Sequence, residues 1–224
     1  STRRETSLNG GTPPGVLYRT TERHYADLFV EQGEIYFRPL TIYRAIEGSK
    51  QDEYEGSILA KPSRTIVELW DEVTRSYVAP LETSKATIVR SLCFPDEYYV
   101  TCFSHVSLVQ HGSTTIEIFN AQEFASKLRI SLSEQLGVEL VFGDIVYYDP
   151  LQYIPEPHDA QAIAFFKRTI FRDEREYRLM FHLNSAARRS ILRSGRKTNP
   201  KFEESLAHGL KIRVGSLKRF ARVI

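Results

Sequence analysis

The segment EREYRLMFH spans residues 174–182, and both the fold prediction and the site prediction depend on it. Apolar side chains recur at alternate positions in its second half, which predicts a β-strand. On such a strand Glu174, Glu176 and Arg178 project to one face, and Tyr177 projects to the other. Crowded carboxylates can raise the pKa of one of them into the range useful for acid–base chemistry, unless a cation compensates. A solvated strand face with salt bridges would give the same pattern.

Strands dominate the rest of the chain. Aromatic and β-branched content predicts strands at 16–19, 34–38, 40–44, 98–104, 114–119, 139–148 (with a bulge or turn at Gly143) and 210–214. Residues 57–98 are predicted to form short strands joined by turns, and the acidic residues 47–56 an exposed loop.

Helices are fewer. One is predicted to begin after Thr20 or Thr21 and to end at Gly33, and an apolar stretch predicts another at 160–167. The strongest signal lies at 120–136, where Asn120 and Glu123 form a capping-box pattern and apolar residues then recur every four positions. Strands mixed irregularly with a few helices predict an α+β fold.

The composition excludes several classes of protein. The chain has 224 residues, of which 42% are hydrophobic and 26% charged, so a disordered, collagenous or coiled-coil chain is excluded. No apolar run approaches the roughly 18 to 20 residues of a membrane span, so we expect a soluble protein without one. Residues 1–15 are polar and rich in Gly, Pro, Ser and Thr, which predicts a flexible linker before a single domain at 16–224.

The net charge of +2 hides a division of the chain. Residues 185–224 hold 11 Lys and Arg against 2 Asp and Glu, a net charge of +9, which leaves −7 for residues 1–184. Within this basic C-terminal segment lie Arg188, Arg189, Arg193, Arg196 and Lys197. Such a cluster could track a nucleic-acid backbone, although a solvated basic face or a docking surface for an acidic inhibitor protein would look the same.

Known catalytic motifs are missing from the sequence. It contains no GxxxxGK[ST] loop, GxGxxG turn, HExxH helix or GxSxG elbow, which argues against nucleoside triphosphatases, Rossmann dehydrogenases, zincins and ordinary serine hydrolases.

Cys93 and Cys102 lack zinc spacing, and we expect no metal. Cys102 with His105 and His111 would permit a nucleophile or metal site, but ordinary loop histidines are the simpler interpretation.

Two further segments carry candidate chemistry. Arg19 ends a short strand directly before a predicted helix start, where a guanidinium could hold phosphate oxygens with help from the helix dipole. A structural ion pair is the alternative for Arg19. Ser104 ends the strand at 98–104, where its hydroxyl could position a ligand.

The order of these residues resembles a known family. An Arg on an early strand, a Ser ending a central strand and an E-x-E element later resemble the Arg–Ser–Glu arrangement of ADP-ribosyltransferases. Here they are Arg19, Ser104 and the element at 174–176. The chain also resembles a group of abortive-infection-type bacterial proteins over most of residues 16–182. The matching motifs are "lyR" at 17–19, "G.i.F" at 33–37, "D..EG" at 52–56, "CFS" at 102–104 and "K...F..E.EyR" at 167–178.

The resemblance implies a fold, a substrate and residue roles. It implies a split, mostly antiparallel sheet flanked by a few helices, and NAD+ as a substrate. Glu176 would stabilise the oxocarbenium-like cation that forms when the nicotinamide–ribose bond breaks, and Glu174 would accept a proton from the acceptor. Arg19 and Ser104 would complete the catalytic set. The residues expected around NAD+ are Tyr18, Arg19, Thr20, Tyr36, Phe37, Tyr43 and Ser104. For Tyr36, Phe37 and Tyr43, packing in the core is the alternative.

The resemblance also bears on partners. It implies a bacterial toxin or defence transferase that acts in the cytoplasm of its target cell. Nucleic acid is favoured over protein as the acceptor, and RNA is the favoured nucleic acid. A domain behind a polar linker is typical of the C-terminal module of a secreted effector, which commonly has a cognate immunity protein. Two alternatives remain open. The same site could hydrolyse NAD+ with water, or the chain could be a nucleic-acid-binding module or nuclease whose acidic cluster is structural or binds Mg²⁺.

Overall fold

The computed structural model describes residues 13–45, 56–60, 65–67, 70–71, 76–77, 81–83, 88–92, 95–108, 112–151, 161–184, 187–189 and 208–224. Three α-helices have described bounds, α1 (Arg23–Gln32), α2 (Leu40–Ala45) and α3 (Ala121–Leu136), and residues 187–189 and 208 are also helical. Short 3₁₀ helices occur at Pro95–Glu97, Gln161–Phe165 and Thr169–Glu174.

The strands of the described residues are short. The first eight are β1 (Leu17–Thr21), β2 (Glu34–Pro39), β3 (Ser57–Ala60), β4 (Thr65–Val67), β5 (Trp70–Asp71), β6 (Ser76–Tyr77), β7 (Leu81–Thr83) and β8 (Ile88–Ser91). The other eight are β9 (Tyr98–Ser104), β10 (Thr114–Ile118), β11 (Leu140–Asp144), β12 (Val146–Tyr148), β13 (Phe166–Arg168), β14 (Glu176–His182), β15 (Leu210–Arg213) and β16 (Ala221–Val223).

The central sheet has the order β11-β14-β9-β1-β10-β16, and its neighbouring strands are antiparallel. Strands β2 and β15 attach beside β9, while β12 and β13 form a separate parallel pair. Three small antiparallel strand pairs, β3-β8, β4-β7 and β5-β6, lie one inside the other in sequence between β2 and β9. This mostly antiparallel arrangement with few helices confirms the predicted α+β class.

A fork divides one edge of β9. Strand β14 pairs along one whole edge of β9, from Glu176 opposite Ser104 to His182 opposite Tyr98. The other edge is shared, because β1 pairs there at Ser104 and β2 pairs at Val100 and Tyr99. Strands β1 and β2 therefore leave β9 from two separate points, with residues 101–103 between them.

Two hydrophobic clusters cover the two faces of the sheet. On one face, Phe29 of α1 and Phe124 of α3 pack on Phe103 and on the Leu179 side of β14. On the other face, Met180 packs with Val100, Leu40, Tyr148 and the apolar residues 162–166. β14 thus contributes alternate residues to two cores, as a strand buried on both faces does.

Several local predictions are confirmed. The side chain of Asn120 accepts a hydrogen bond from the Glu123 amide and caps α3, whose apolar residues are buried. Gly33 ends α1 with the left-handed φ of 63° that glycine adopts without strain. A side chain there would also collide with the Gly215 carbonyl, which lies 2.1 Å from the position of a Cβ.

Other local predictions are wrong. Residues 40–45 form α2 rather than a strand. The helix predicted at 160–167 is present only at 161–165, as a 3₁₀ helix, and residues 166–168 form β13. β1 continues through Thr20 and Thr21, so Glu22 is the N-cap of α1, and it makes no side-chain capping bond. Gly143 is neither bulge nor turn, because it pairs regularly with Arg178.

The start of the acidic strand also differs from the prediction. Residues 169–174 form a 3₁₀ helix that ends at Arg175, which has a left-handed φ of 42°, and β14 begins only at Glu176. Glu174 and Glu176 are therefore not alternate residues of one strand face. Their approach to each other has a different cause, described below.

None of the helices in the described ranges is long and apolar enough to cross a membrane. Of the predicted linker, residues 1–12 lie outside the described residues, as do 47–55 of the predicted acidic loop.

Candidate functional site

A cavity of about 690 Å³ opens at the fork between β1 and β2. Both strands and one side of α1 contribute to its wall, together with Ser113 and single residues of α2, β10 and β15. The lining residues are Arg19, Thr20, Thr21, Glu22, Tyr25, Leu28, Phe29, Glu34, Tyr36, Arg38, Tyr43, Ser113, Ile116 and Lys211. The size is that of a pocket for a nucleotide-like small molecule.

Arg19 occupies the fork itself. Its Nη1 donates a hydrogen bond to Thr101 Oγ1, on the part of β9 between the two branches, and its guanidinium lies 5.5 Å from the centre of the Phe103 ring. Burial lowers the pKa of Arg19, because a charged group loses hydration inside the protein. Among the described residues no carboxylate forms an ion pair with it. A partly buried cation at a cavity, without a counter-ion of its own, is a ready site for an anion.

Three predicted residues stand side by side across the sheet. On neighbouring strands Tyr18 is opposite Ser104, and Ser104 is opposite Glu176. The Ser104 hydroxyl donates to the Glu174 carbonyl oxygen at 2.8 Å and accepts from the Val106 amide at 3.1 Å. Ser104 is buried and does not line the cavity, so its hydroxyl ties the end of β9 to the loop that carries Glu174.

Glu176 lies in a buried cluster of charged side chains. Its Oε1 accepts from Arg178 Nε at 2.8 Å and Nη2 at 2.6 Å, and its Oε2 accepts from Lys167 Nζ at 2.9 Å. Arg178 is completely buried and also donates to the Ala164 carbonyl, while Glu176 is 5% exposed. The carboxylate therefore has a fixed position and fixed partners inside the protein.

These partners determine the charge state of Glu176. Burial alone would raise the pKa of Glu176, but the nearby charges of Arg178 and Lys167 outweigh burial and lower it to about 2. Crowding of the carboxylates therefore does not raise the pKa of Glu176, because two cations supply the compensation that the sequence analysis named as the exception. Glu176 is ionised at neutral pH and is not a proton donor.

Lys167 is the residue that joins the two acidic side chains. Its ammonium donates to Glu174 at 2.7 Å and to Glu176 at 2.9 Å. The Glu174 side chain is 30% exposed, so it is the carboxylate of the pair that solvent reaches. The sequence motif contained Lys167, but no sequence signal assigned it a role at the site.

Tyr43 connects the cavity with the buried cluster. Its side chain lines the cavity, and its hydroxyl accepts a weak hydrogen bond from Cys102 Sγ at 3.9 Å. Burial raises the pKa of Cys102 to about 12, with a further contribution from Glu176, so this thiol is protonated and unreactive at neutral pH. His105 contacts Asp144 instead of Cys102, so the two do not form a nucleophile pair.

The remaining predicted residues divide between cavity and core. Thr20 and Tyr36 line the cavity. Phe37 does not, because alternate residues of β2 point to opposite faces and its ring is completely buried in the core. Tyr18 is also outside the lining, and its hydroxyl donates to Glu117 at 3.5 Å.

The predicted nucleic-acid residues are described only in part. Arg188 and Arg189 lie in a helical turn after β14, where the Asn184 side chain accepts from the Ala187 amide. This turn follows the end of β14 that pairs with Tyr98, about 20 Å along β9 from Ser104. Arg193, Arg196 and Lys197 lie outside the described residues.

In the part of the chain that the structure describes, no group of three or more His, Cys, Asp or Glu side chains is arranged to hold a metal ion. No protein-family model, curated protein or solved structure matches the chain.

The buried cluster predicts how stability depends on pH. Because the pKa of Glu176 falls from the ordinary 4.5 to about 2 in the folded protein, its ionised form stabilises the fold. This contribution is complete above about pH 4.5 and is lost as the pH falls through about 2. We therefore expect the loss of unfolding free energy caused by Glu176→Gln to be largest at neutral pH and to shrink between pH 4.5 and 2. Urea titrations of both proteins at several pH values would measure it, and a difference independent of pH would contradict it.

Proposed function

We propose that the protein is an ADP-ribosyltransferase that breaks the nicotinamide–ribose bond of NAD+ and transfers ADP-ribose to a macromolecular acceptor. The observation that carries the proposal is the position of Arg19. A guanidinium without a carboxylate partner among the described residues lies at the fork of a split sheet and lines a cavity of nucleotide size. A phosphate group of NAD+ supplies the anion that such a site favours.

Glu176 supplies the negative charge for the reaction. As the bond to nicotinamide breaks, positive charge develops on the ribose, and a fixed carboxylate that is already ionised stabilises this charge without reorganisation. Lys167 and Arg178 hold Glu176 in place, and their two positive charges balance the two negative charges of Glu174 and Glu176. Since Glu176 is buried and does not line the cavity, it acts on the ribose through the electric field of its carboxylate and not by direct contact.

Glu174 has the second acidic role. It is partly exposed, so it can meet an acceptor group arriving from solvent and take the proton that this group loses as it bonds to the ribose. Ser104 is a positioning residue in this proposal, because its hydroxyl holds the Glu174 backbone at 2.8 Å while its strand neighbour is Glu176.

The acceptor in this proposal is nucleic acid rather than protein, and RNA is the favoured nucleic acid. The support is the net charge of +9 on residues 185–224, which would attract a phosphate backbone to a domain whose remaining part is acidic.

The proposal is tested by measuring nicotinamide release from NAD+. We expect Arg19→Gln to raise the KM for NAD+ by roughly 10- to 100-fold, because a charge-assisted hydrogen bond to phosphate is lost. Arg23→Gln is the matched control, since Arg23 is exposed on α1, pairs with Asp27 at 3.1 Å and does not line the cavity. Circular dichroism would establish that both variants are folded.

Each outcome of this test has a separate meaning. Equal KM values for Arg19→Gln and Arg23→Gln would remove Arg19 from the substrate site. Release of nicotinamide together with free ADP-ribose, and with no labelled macromolecule, would make the protein an NAD+ glycohydrolase instead. No release of nicotinamide by the wild-type protein would reject both activities.

A further inference from the structure

A second guanidinium lines the cavity. Arg38 lies on β2, on the opposite branch of the fork from Arg19, and the pairing of Arg38 with Val100 places it close to where the branches separate. Residues 34, 36 and 38 alternate with buried neighbours, so they share the face of β2 that meets the cavity. The sequence patterns gave no reason to include Arg38 in the site.

The acidic residue nearest to Arg38 along β2 is already neutralised. The Glu34 carboxylate is paired with Lys211 at 2.8 Å and with Arg213 at 3.1 Å, and these hydrogen bonds lower its pKa. Lys211 is thereby committed to Glu34, although it too lines the cavity. Glu22, at the N-terminus of α1, is the other acidic lining residue, and no ion pair joins it to Arg19 or Arg38 in the described part of the chain.

Neighbouring residues pre-organise the Arg38 side chain. Its guanidinium lies over the Tyr36 ring, 5.5 Å from the ring centre, and the Tyr36 hydroxyl donates to the His208 carbonyl at 2.9 Å. A hydrogen bond thus orients the ring, and the ring supports the cation. Less side-chain freedom is lost when such an arginine binds an anion.

The two arginines repel each other when the cavity holds no anion. Burial is the main cause of the lowered pKa of Arg19, and the positive charge of Arg38 lowers it further. An anion between the two branches of the fork would relieve this repulsion. The two guanidinium groups offer two separate sets of N–H donors for such an anion.

We propose that Arg19 and Arg38 together form a diphosphate clamp, in which each arginine, from its own branch of the fork, holds one of two linked phosphate groups. The ligand class is a nucleotide that carries a diphosphate. This inference rests on the cavity assigned to NAD+ above and adds the residue that distinguishes a diphosphate from a single phosphate. ADP, AMP and adenosine are suitable probes, because they differ only in the number of phosphate groups.

The test is calorimetric titration of the wild-type chain and of Arg38→Gln with the three probes. We expect the wild-type protein to bind ADP more tightly than AMP, and AMP more tightly than adenosine. Arg38→Gln should weaken ADP binding by roughly 10- to 100-fold and change AMP binding much less, so that the preference for ADP disappears. Arg222→Gln is the matched control, because Arg222 pairs with Glu117 and neither residue lines the cavity.

The results separate the clamp from the enzymatic proposal. If Arg38→Gln weakens the binding of ADP and AMP equally, or weakens ADP binding no more than Arg222→Gln does, the clamp is wrong even if the protein turns over NAD+. If the preference for ADP depends on Arg38 but no nicotinamide is released from NAD+, the clamp stands and the transferase proposal falls. Weak binding of ADP, AMP and adenosine with equal affinity would overturn the clamp directly.

Discussion

Arg178→Met is expected to lower the free energy of unfolding by about 3–5 kcal/mol. Arg178 is completely buried and forms two hydrogen bonds to Glu176, of 2.8 and 2.6 Å. Methionine fills similar space but supplies no charge, so of the two cations that contact Glu176 in the described part of the chain, Lys167 would remain, and Glu176 shares it with Glu174. A buried carboxylate with too little compensating charge is one of the costliest defects in a protein interior.

Arg222→Met is the control for this measurement. Arg222 also bonds a carboxylate, Glu117, at 2.6 Å, but its side chain is 65% exposed. Exposed ion pairs contribute roughly 0–1 kcal/mol, so Arg222→Met should change the stability little. Urea denaturation followed by circular dichroism would measure both variants. Similar costs for the two substitutions would mean that the cluster around Glu176 does not stabilise the fold.

Glu176→Gln is expected to lower the rate of nicotinamide release by roughly 10²–10³-fold, with little effect on the KM for NAD+. Glutamine is nearly isosteric, so the substitution removes the negative charge that we assign to the transition state and leaves the cavity lining unchanged. It also leaves Arg178 and Lys167 without one of their partners, so the variant will be less stable. The rate must therefore be expressed per folded molecule, at a temperature at which the variant is folded.

Two other glutamates provide comparisons for Glu176→Gln. Glu123→Gln, in the first turn of α3, should leave the rate near that of the wild-type protein, since Glu123 is not part of the site. Glu174→Gln should reduce labelling of the acceptor more than it reduces nicotinamide release, because Glu174 takes the acceptor's proton in our proposal. A Glu176→Gln rate within about twofold of wild type would remove Glu176 from the reaction.

The parts of the fold with local signals could be predicted from the sequence. Helix α3 has a capping residue, Asn120, and an apolar repeat, and both signals lie within the helix itself. Strand β9 was predicted with its observed bounds, 98–104, because it is rich in aromatic and β-branched side chains. Similar composition at 40–44 predicted a strand where the chain forms α2, since strand propensity mainly reflects packing that the local sequence does not contain.

The site depended on contacts between distant segments. Arg19, Ser104 and Glu176 could be selected because their order along the chain resembles that of a known family. The strand register that places Ser104 opposite Glu176 could not be predicted in this way. The bridge by Lys167 forms because a 3₁₀ helix and the left-handed residue Arg175 turn the chain back between β13 and β14. A period-two pattern assigned Glu174 to a strand and could not reveal this turn. Arg38 was missed because its importance arises only when β2 faces β1 across the fork.

The most direct test is incubation of the protein with a cell lysate and NAD+ labelled in its adenylate portion. Free nicotinamide is measured, and the label is counted in separated RNA, DNA and protein fractions. We predict nicotinamide release together with label in the RNA fraction, and neither in a matched incubation without the protein. If no nicotinamide is released and no fraction carries label, the protein does not use NAD+, and the account of the site as a transferase centre is contradicted.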